Sequence, residues 1–429
     1  MAGTILMKAR NVCPSDRPSC DAGRRRQPAK VLMTADATSG VWTYVVELVR
    51  ALQKYEISIV LATMGAPLTR GQREEVGCIP TVEVCESNFE LERRQDPWYA
   101  MSQAGEWLLQ LEERVQPDVV HLNDFAQAIL PWHAPTLVVG HACALSWWQA
   151  VKGKSAPAVW DRYRQEIAQG LRSATLVLAP SRTMLAALRE HYGPFPAGWV
   201  VPNGRDPALF RPGVKENCIL TVGELWDDAQ NVAALARIAP QLSWPVYVAG
   251  EEQHPDGEVG AGLALPTGGA WPVEPCRSST PTKMKLPHYP GTAQLDNVHL
   301  LGRLSPQVLA PWFARASVYA LPARSEPCGL SVLEAGLAGC ALVLGDIAGL
   351  RETWDGVAIF VPPDDAEVLS ATLEALRRDP VWRQVMAARA RRRAVTFTPQ
   401  QMAAGYMTAY GEVITKALKG SQERTLYAL

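Results

Sequence analysis

Two glutamates eight residues apart, Glu326 and Glu334, stand in the stretch ARSEPCGLSVLEAGLAGCALVLGD. The apolar run SVYALP before it reads as a strand, and a helix is predicted to begin near Cys328-Gly329-Leu330. Glu326 then falls in the loop and Glu334 about one turn inside the helix. Backbone N–H groups at Gly329, Leu330 and Ser331, left over at a helix start, would offer an anion site. One carboxylate there can sit beside a sugar, and the other can accept hydrogen bonds from a ribose diol. By themselves the two acids read equally as a solvent-facing pair, one of them favoured at a helix start by the dipole.

A second stretch, GELWDDAQN at 223–231, follows the short apolar strand Ile219 to Val222. Phosphates usually dock in the loop after such a strand. This loop instead carries Glu224, Asp227 and Asp228. Asp227 is predicted to N-cap a helix through Val232, Leu235 and Ile238, and acids suit a helix start. Asp227 and Asp228 therefore need no ligand, whereas Glu224 remains to be explained.

The elements that must position these residues alternate along the chain. KVLMTA, ISIVLATM, DVVHL, TLVVGH and TLVLAP read as strands, with helical spacing in VWTYVVELVRAL, WLLQLEERV and RTMLAALREHY. The continuous apolar runs suit strands buried on both faces of a parallel sheet. VVPNGRDPALFRPG at 200–213, with three prolines and two glycines, reads as a linker. The alternation then restarts with CILTVG, PVYVAG, NVHLLG, SVYALP and ALVLGD, so the chain is read as two Rossmann-like α/β domains facing a cleft. Ligand sites belong at the carboxyl ends of such strands. Residues 1–28 lack periodicity and are expected to form a disordered tail, with Arg24-Arg25-Arg26 either solvated or touching an anionic partner. Residues 253–296 read as a mobile insertion, either a lid or a plain surface excursion. The basic segment VWRQVMAARARRRAVTF can form a solvated helix face or lie on an anionic membrane.

Composition narrows the class. With 429 residues, two domains are expected. A net charge of −1 gives no pull toward nucleic acid, and no apolar run is long enough to span a membrane. The nine cysteines include no C-x-x-C pair, and Cys143, Cys218 and Cys340 sit in apolar surroundings as buried thiols do. Reduced thiols and the lack of a long apolar N-terminal stretch point to the cytoplasm. The seven histidines are scattered, so no metal site is expected.

The string EPCGLSVLEAGLAGCALVL closely resembles the signature of family 4 of the retaining glycosyltransferases, which have the GT-B fold. The resemblance runs over roughly residues 30–418 and includes PNGRD at 202–206, VHL at 120–122, VVGHA at 138–142 and DIAGLRE at 346–352. It implies transfer of a sugar from a nucleotide-sugar donor with retention of configuration, with no metal or other cofactor. Glu326 would contact the sugar and Glu334 the ribose. His141 would face the donor sugar, with His121 packing or ordering the N-terminal domain's loop. Gly40 would let phosphate and acceptor approach the backbone. Asn203, in the PNGRD linker, and Cys328, Gly329, Leu330 and Ser331, at the turn into the helix, would complete the donor site. Cys328 stands where the family usually has phenylalanine. The implied division is an acceptor domain at 29–204, a donor domain at 205–398, a crossover helix at 399–418 and a tail at 419–429.

The pattern breaks in GELWDDAQN. The family places an arginine and a lysine in this loop to neutralise the donor diphosphate; here Glu224 and Gln230 occupy those positions. A unit charge pair at 4 Å is worth about 4 kcal/mol at an effective dielectric of about 20. Three explanations stand open. Arg205, Arg303, Arg324 or Arg351 can supply the missing charge; the donor can carry less charge; or the protein can be a non-catalytic binding or partner subunit of the same fold. A sugar-nucleotide epimerase would also share the fold, but the E-x7-E string argues against it. The acceptor, a small molecule, glycan or lipid-linked group, is unspecified; Trp98, Trp147, Trp148 and Trp160 can stack on it or pack in the core.

Overall fold

A computed structural model describes residues 27–37, 40–89, 97–250 and 297–427, with side chains to 419. The tail expected at 1–28, save residues 27 and 28, and the insertion expected at 253–296 lie outside the described residues.

The first domain runs β1 (Lys30–Asp36), α1 (Gly40–Leu52), β2 (Ser58–Met64), α2 (Arg70–Gly77), β3 (Val82–Glu86), α3 (Trp98–Val115), β4 (Val119–Leu122), β5 (Thr136–Val139), α4 (Ala144–Lys152), α5 (Asp161–Ser173), β6 (Leu176–Ala179), α6 (Arg182–Tyr192) and β7 (Gly198–Val200). The second runs β8 (Glu216–Val222), α7 (Val232–Ile238), β9 (Val246–Ala249), β10 (Val298–Leu300), α8 (Pro306–Arg315), β11 (Ala316–Leu321), α9 (Leu330–Leu337), β12 (Ala341–Gly345), α10 (Ala348–Trp354), β13 (Ile359–Val361), α11 (Ala366–Arg378), α12 (Pro380–Ala394) and α13 (Pro399–Tyr427). Their strand orders are β3-β2-β1-β4-β5-β6-β7 and β10-β9-β8-β11-β12-β13. Every pairing is parallel.

Both orders reverse direction once, between β1 and β4 and between β8 and β11. A crevice opens at the carboxyl ends of the strands at each reversal. The strands there are sheathed on both faces: β1 is buried from Val31 to Asp36, and β11 throughout. The apolar face of α1, Val41, Tyr44, Val45, Leu48 and Leu52, packs into the first core.

The chain crosses between domains twice. The linker packs so tightly on the start of α13 that a Cβ on Gly204 would lie 2.3 Å from the carbonyl oxygen of Thr398, so only glycine fits. Helix α13 then returns to the first domain, where Met402, Tyr406, Tyr410 and Val413 join its core. It continues to Tyr427, past the crossover end expected at 418. His121 is fully buried here, with its Nδ1 2.8 Å from the Tyr410 hydroxyl and its ring stacked on Tyr406. Burial drives its pKa down to about 3, so it is a neutral packing residue.

Candidate active site

The crevices face each other across a cavity of about 570 Å³. The first domain contributes Asp36 from the end of β1, Asn123 and Asp124 after β4, and His141 after β5. The second contributes Gly223 and Glu224 after β8, then Arg324 and Glu326 after β11. Of the residues singled out in the sequence, Gly40, His141, Cys143, Trp147, Glu224, Asp227, Gln230, Arg303, Arg324, Glu326, Cys328 and Leu330 line this cavity. Asn203 and Gly329 border a smaller cleft of about 50 Å³ that Glu326 and Cys328 also touch. Arg205, Ser331, Glu334 and Arg351 line neither.

Glu326 occupies the helix start that was expected to be open. Its Oε1 accepts from the N–H groups of Cys328 at 3.2 Å and Gly329 at 2.8 Å. The Gly329 amide is therefore committed to the protein's own carboxylate. Ser331 turns away, its Oγ accepting from the Tyr319 hydroxyl at 2.8 Å. Glu326 is partly open to the cavity yet ringed by protein. That burial raises its pKa in spite of the two N–H donors, and Asp227 raises it further.

Glu334 also departs from expectation. Its Oε1 lies 2.8 Å from Arg205 Nε, and Arg205 Nη1 lies 3.2 Å from Glu47 Oε1 on α1. The side chains of Glu47, Arg205 and Glu334 are 5%, 2% and 9% exposed. The second glutamate of the E-x7-E pair is thus one end of a buried triad joining α1, the linker and α9. Burial raises the pKa of both glutamates, and Arg205 opposes the shift. The triad also removes Arg205 from the set of cations available to a diphosphate.

In the acidic loop, Gln230 lines the cavity but turns its amide oxygen back onto its own loop. Its Oε1 accepts from the Glu224 N–H at 3.0 Å and sits where a Cβ on Gly223 would be, at 2.3 Å. Asp227 does not cap α7, which begins after Asn231. Instead Asp227 Oδ1 accepts from the Ala229 N–H at 2.8 Å, closing a tight turn before the helix. Asp228 pairs with Lys152 of the first domain at 2.7 Å. Arg324 reaches the loop from β11: Nε and Nη2 bond Asp364 Oδ1, Nη1 bonds the Asp228 carbonyl, and its backbone N–H bonds the Ala229 carbonyl. Arg351 is held by Asp346 and Asp355 away from the cavity. Arg303 and Arg324 remain as the cavity's arginines, against Asp36, Asp124, Glu224, Asp227 and Glu326, among the described residues.

His141 is buried and oriented. Asn123 Nδ2 donates to the Thr34 carbonyl at 2.7 Å, which fixes Asn123 Oδ1 as the partner of His141 Nε2 at 2.8 Å. Nε2 therefore carries the proton and donates. Tyr44 lies against the ring, with centroids 4.5 Å apart. The Cys328 thiol donates to the His141 carbonyl at 3.4 Å, which ties the two domains across the site. Asp36, Asn123 and Asp124 were missed in the sequence. Their place at the carboxyl ends of β1 and β4, where the strand order reverses, is the signal that marks them.

Residues 38–209 match the sequence model of Glycosyltransferase Family 4, and residues 278–379 that of Glycosyl transferases group 1. Two segments of the chain are thus similar to glycosyltransferase domains. It is 35% identical over 111 residues to the D-inositol 3-phosphate glycosyltransferase of Frankia alni, which covers 25% of this chain and 27% of that protein. It is 26% identical over 221 residues to the GDP-mannose-dependent monoacylated alpha-(1-6)-phosphatidylinositol monomannoside mannosyltransferase of Corynebacterium glutamicum, covering 49% and 55%. The matches thus span about a quarter to just over half of these relatives. Sucrose-phosphate synthase from Thermosynechococcus elongatus superposes with a TM-score of 0.67 at 15% identity, over 94% of this chain and 100% of that one. The fold is GT-B, two parallel-sheet α/β domains facing a cleft. Among the described residues no group of side chains is arranged to hold a metal ion, and no helix is long and apolar enough to cross a membrane.

Proposed function

We propose that the protein moves a sugar from a nucleotide-sugar donor to an acceptor hydroxyl, with retention of anomeric configuration. The observation that carries this reading is the single cavity in which Glu326 and Arg324 of one domain meet His141 and Gly40 of the other. The donor would lie against the second domain. Arg303 and Arg324 would take the diphosphate in place of the two cations that the loop after β8 lacks. Glu326 would meet the sugar beside the reacting carbon, and the Nε2-protonated His141 would face its hydroxyls. The bond from the anomeric carbon to the diphosphate oxygen breaks, the bond to the acceptor oxygen forms, and the acceptor's proton leaves with the diphosphate. Catalysis then rests on stabilising charge that grows on the leaving group. No metal or other cofactor is part of this reading, following the resemblance.

Glu334 has no ribose contact in this reading because Arg205 holds its carboxylate. The acid at Glu224 favours one competing reading, a protein of this fold that binds a ligand without transferring sugar. Release of nucleoside diphosphate from a panel of nucleotide sugars separates the two. Release that depends on Glu326, with a retained anomer by NMR, supports transfer. Ligand binding with no release from any donor supports the competitor.

A further inference from the structure

Helix α12 packs on α9 and β12 and buries Met386, Ala390 and Ala394. The outer side of such a surface helix is ordinarily polar. Here Val381, Val385, Ala388, Arg392 and Val395 recur every three or four residues, which sets them in one stripe opposite the buried side. The three valines are 70%, 43% and 39% exposed. Arg389 and Arg391 flank the stripe, one on each side, and both are exposed. Arg391 Nε donates to the Leu337 carbonyl at 3.3 Å, while Arg389 and Arg392 form no ion pair among the described residues. No Asp or Glu stands between Asp379 and Glu412, although the whole chain holds 43 acidic residues against 42 lysines and arginines. Asp379 itself is spent on the first turn of the helix, accepting from the Trp382 N–H at 2.8 Å.

We propose that this outer face of α12 docks on an anionic lipid surface. The valines would enter the boundary between headgroups and acyl chains, and Arg389, Arg391 and Arg392 would bind lipid phosphates. A peripheral contact of this kind needs no spanning helix. Charge and side-chain type favour lipid over protein. A second copy laid symmetrically on the face would bring arginine against arginine. A protein partner is commonly anchored by an aromatic side chain, and the stripe carries none. None of the stripe residues, and neither flanking arginine, lines the cavity or the smaller cleft, so the contact is separate from the transfer site.

The test is cosedimentation of the full chain with vesicles of phosphatidylcholine alone, or of phosphatidylcholine and phosphatidylglycerol in equal parts. A single arginine near an anionic surface is worth about fivefold in binding. We expect binding to the anionic vesicles to be tighter by roughly tenfold or more and to fall as salt rises. Arg389→Gln with Arg392→Gln should weaken it by roughly tenfold or more. Val381→Asp with Val385→Asp should weaken it likewise. Replacing Arg24, Arg25 and Arg26 with glutamine should leave it unchanged. All the α12 side chains to be changed are exposed, and circular dichroism would confirm that the variants fold. Equal binding to both kinds of vesicle overturns the proposal, as does anionic binding that either α12 variant retains. Binding lost with Arg24 to Arg26 overturns it too, as does a dimer in light scattering that Val385→Asp dissociates. No donor is present, so the outcome does not depend on the transfer reading.

Discussion

At Glu326, binding chemistry and folding pull in opposite directions. The carboxylate accepts from two backbone amides, yet burial leaves its pKa raised. The folded protein therefore holds this proton more tightly than the unfolded chain does. Stability from this group is fully present below the ordinary glutamate pKa of about 4.3 and is lost as pH rises through the higher folded value. Glu326→Gln keeps an acceptor for both amides and removes the charge. We expect the variant to melt above the wild type at pH 7, with the gap closing below about pH 4. A gap that stays constant with pH would contradict the assignment. The same variant should lose at least a hundredfold in turnover. Arg324 gives a second prediction at this scale: Arg324→Met should raise the KM for a nucleotide sugar at least tenfold while leaving binding of the free nucleoside unchanged. The E-x7-E signature made Glu326 and its loop legible in the sequence. That Glu326 would cap its own turn was not legible because it depends on local backbone angles, and that Glu334 would be taken by Arg205 was not legible because the two lie over 100 residues apart in the chain.

Among the elements, α1, the linker and α9 meet at Glu47, Arg205 and Glu334. Removing one partner from a buried ionic group leaves the others uncompensated, typically at about 3–5 kcal/mol. Arg205→Met should destabilise by that order in urea unfolding. Adding Glu47→Leu and Glu334→Leu should recover most of the loss, since apolar replacements of the whole group are often neutral. If Arg205→Met changes stability by less than about 1 kcal/mol, the triad does not join the elements as described. Strands with a mainly apolar, buried core, such as β1, β2, β11 and β12, could be read directly from the sequence. Strands β3, β7 and β13 could not. β3 and β7 lie at the edges of the first sheet with no fully buried residue, and β7 and β13 have three residues each, too few to show a period. The turn at Asp227 looked like a helix cap because its acids suit either structure, and only the left-handed Asn231 delays α7.

Across the whole molecule, polar bonds bridge the two domains beside the cleft. Glu352 on α10 reaches the start of α6 in the other domain, accepting from the N–H groups of Arg182 at 2.7 Å and Thr183 at 2.8 Å and from the Thr183 hydroxyl at 2.7 Å. Burial would raise its pKa, but these three donors outweigh that and hold it low. Its contribution is therefore present above the ordinary glutamate value and is lost as pH falls through the lower folded one. Glu352→Ala should cost about 1 kcal/mol, as loss of a helix cap does, and should increase the radius of gyration seen by small-angle scattering. An unchanged radius would mean that Glu352 does not hold the domains together. The two-domain alternation that frames this cleft was plain in the sequence; the bonds across it were not, since each joins residues far apart in the chain that no local pattern pairs. The most direct test of the transfer reading is nucleoside diphosphate release from a panel of nucleotide sugars by wild type and Glu326→Gln, with water and a panel of alcohols as acceptors. The account predicts release from at least one donor, coupled to a free sugar or glycoside of retained configuration, and at least a hundredfold less with Glu326→Gln. Release from no donor, or release that Glu326→Gln leaves intact, would contradict it.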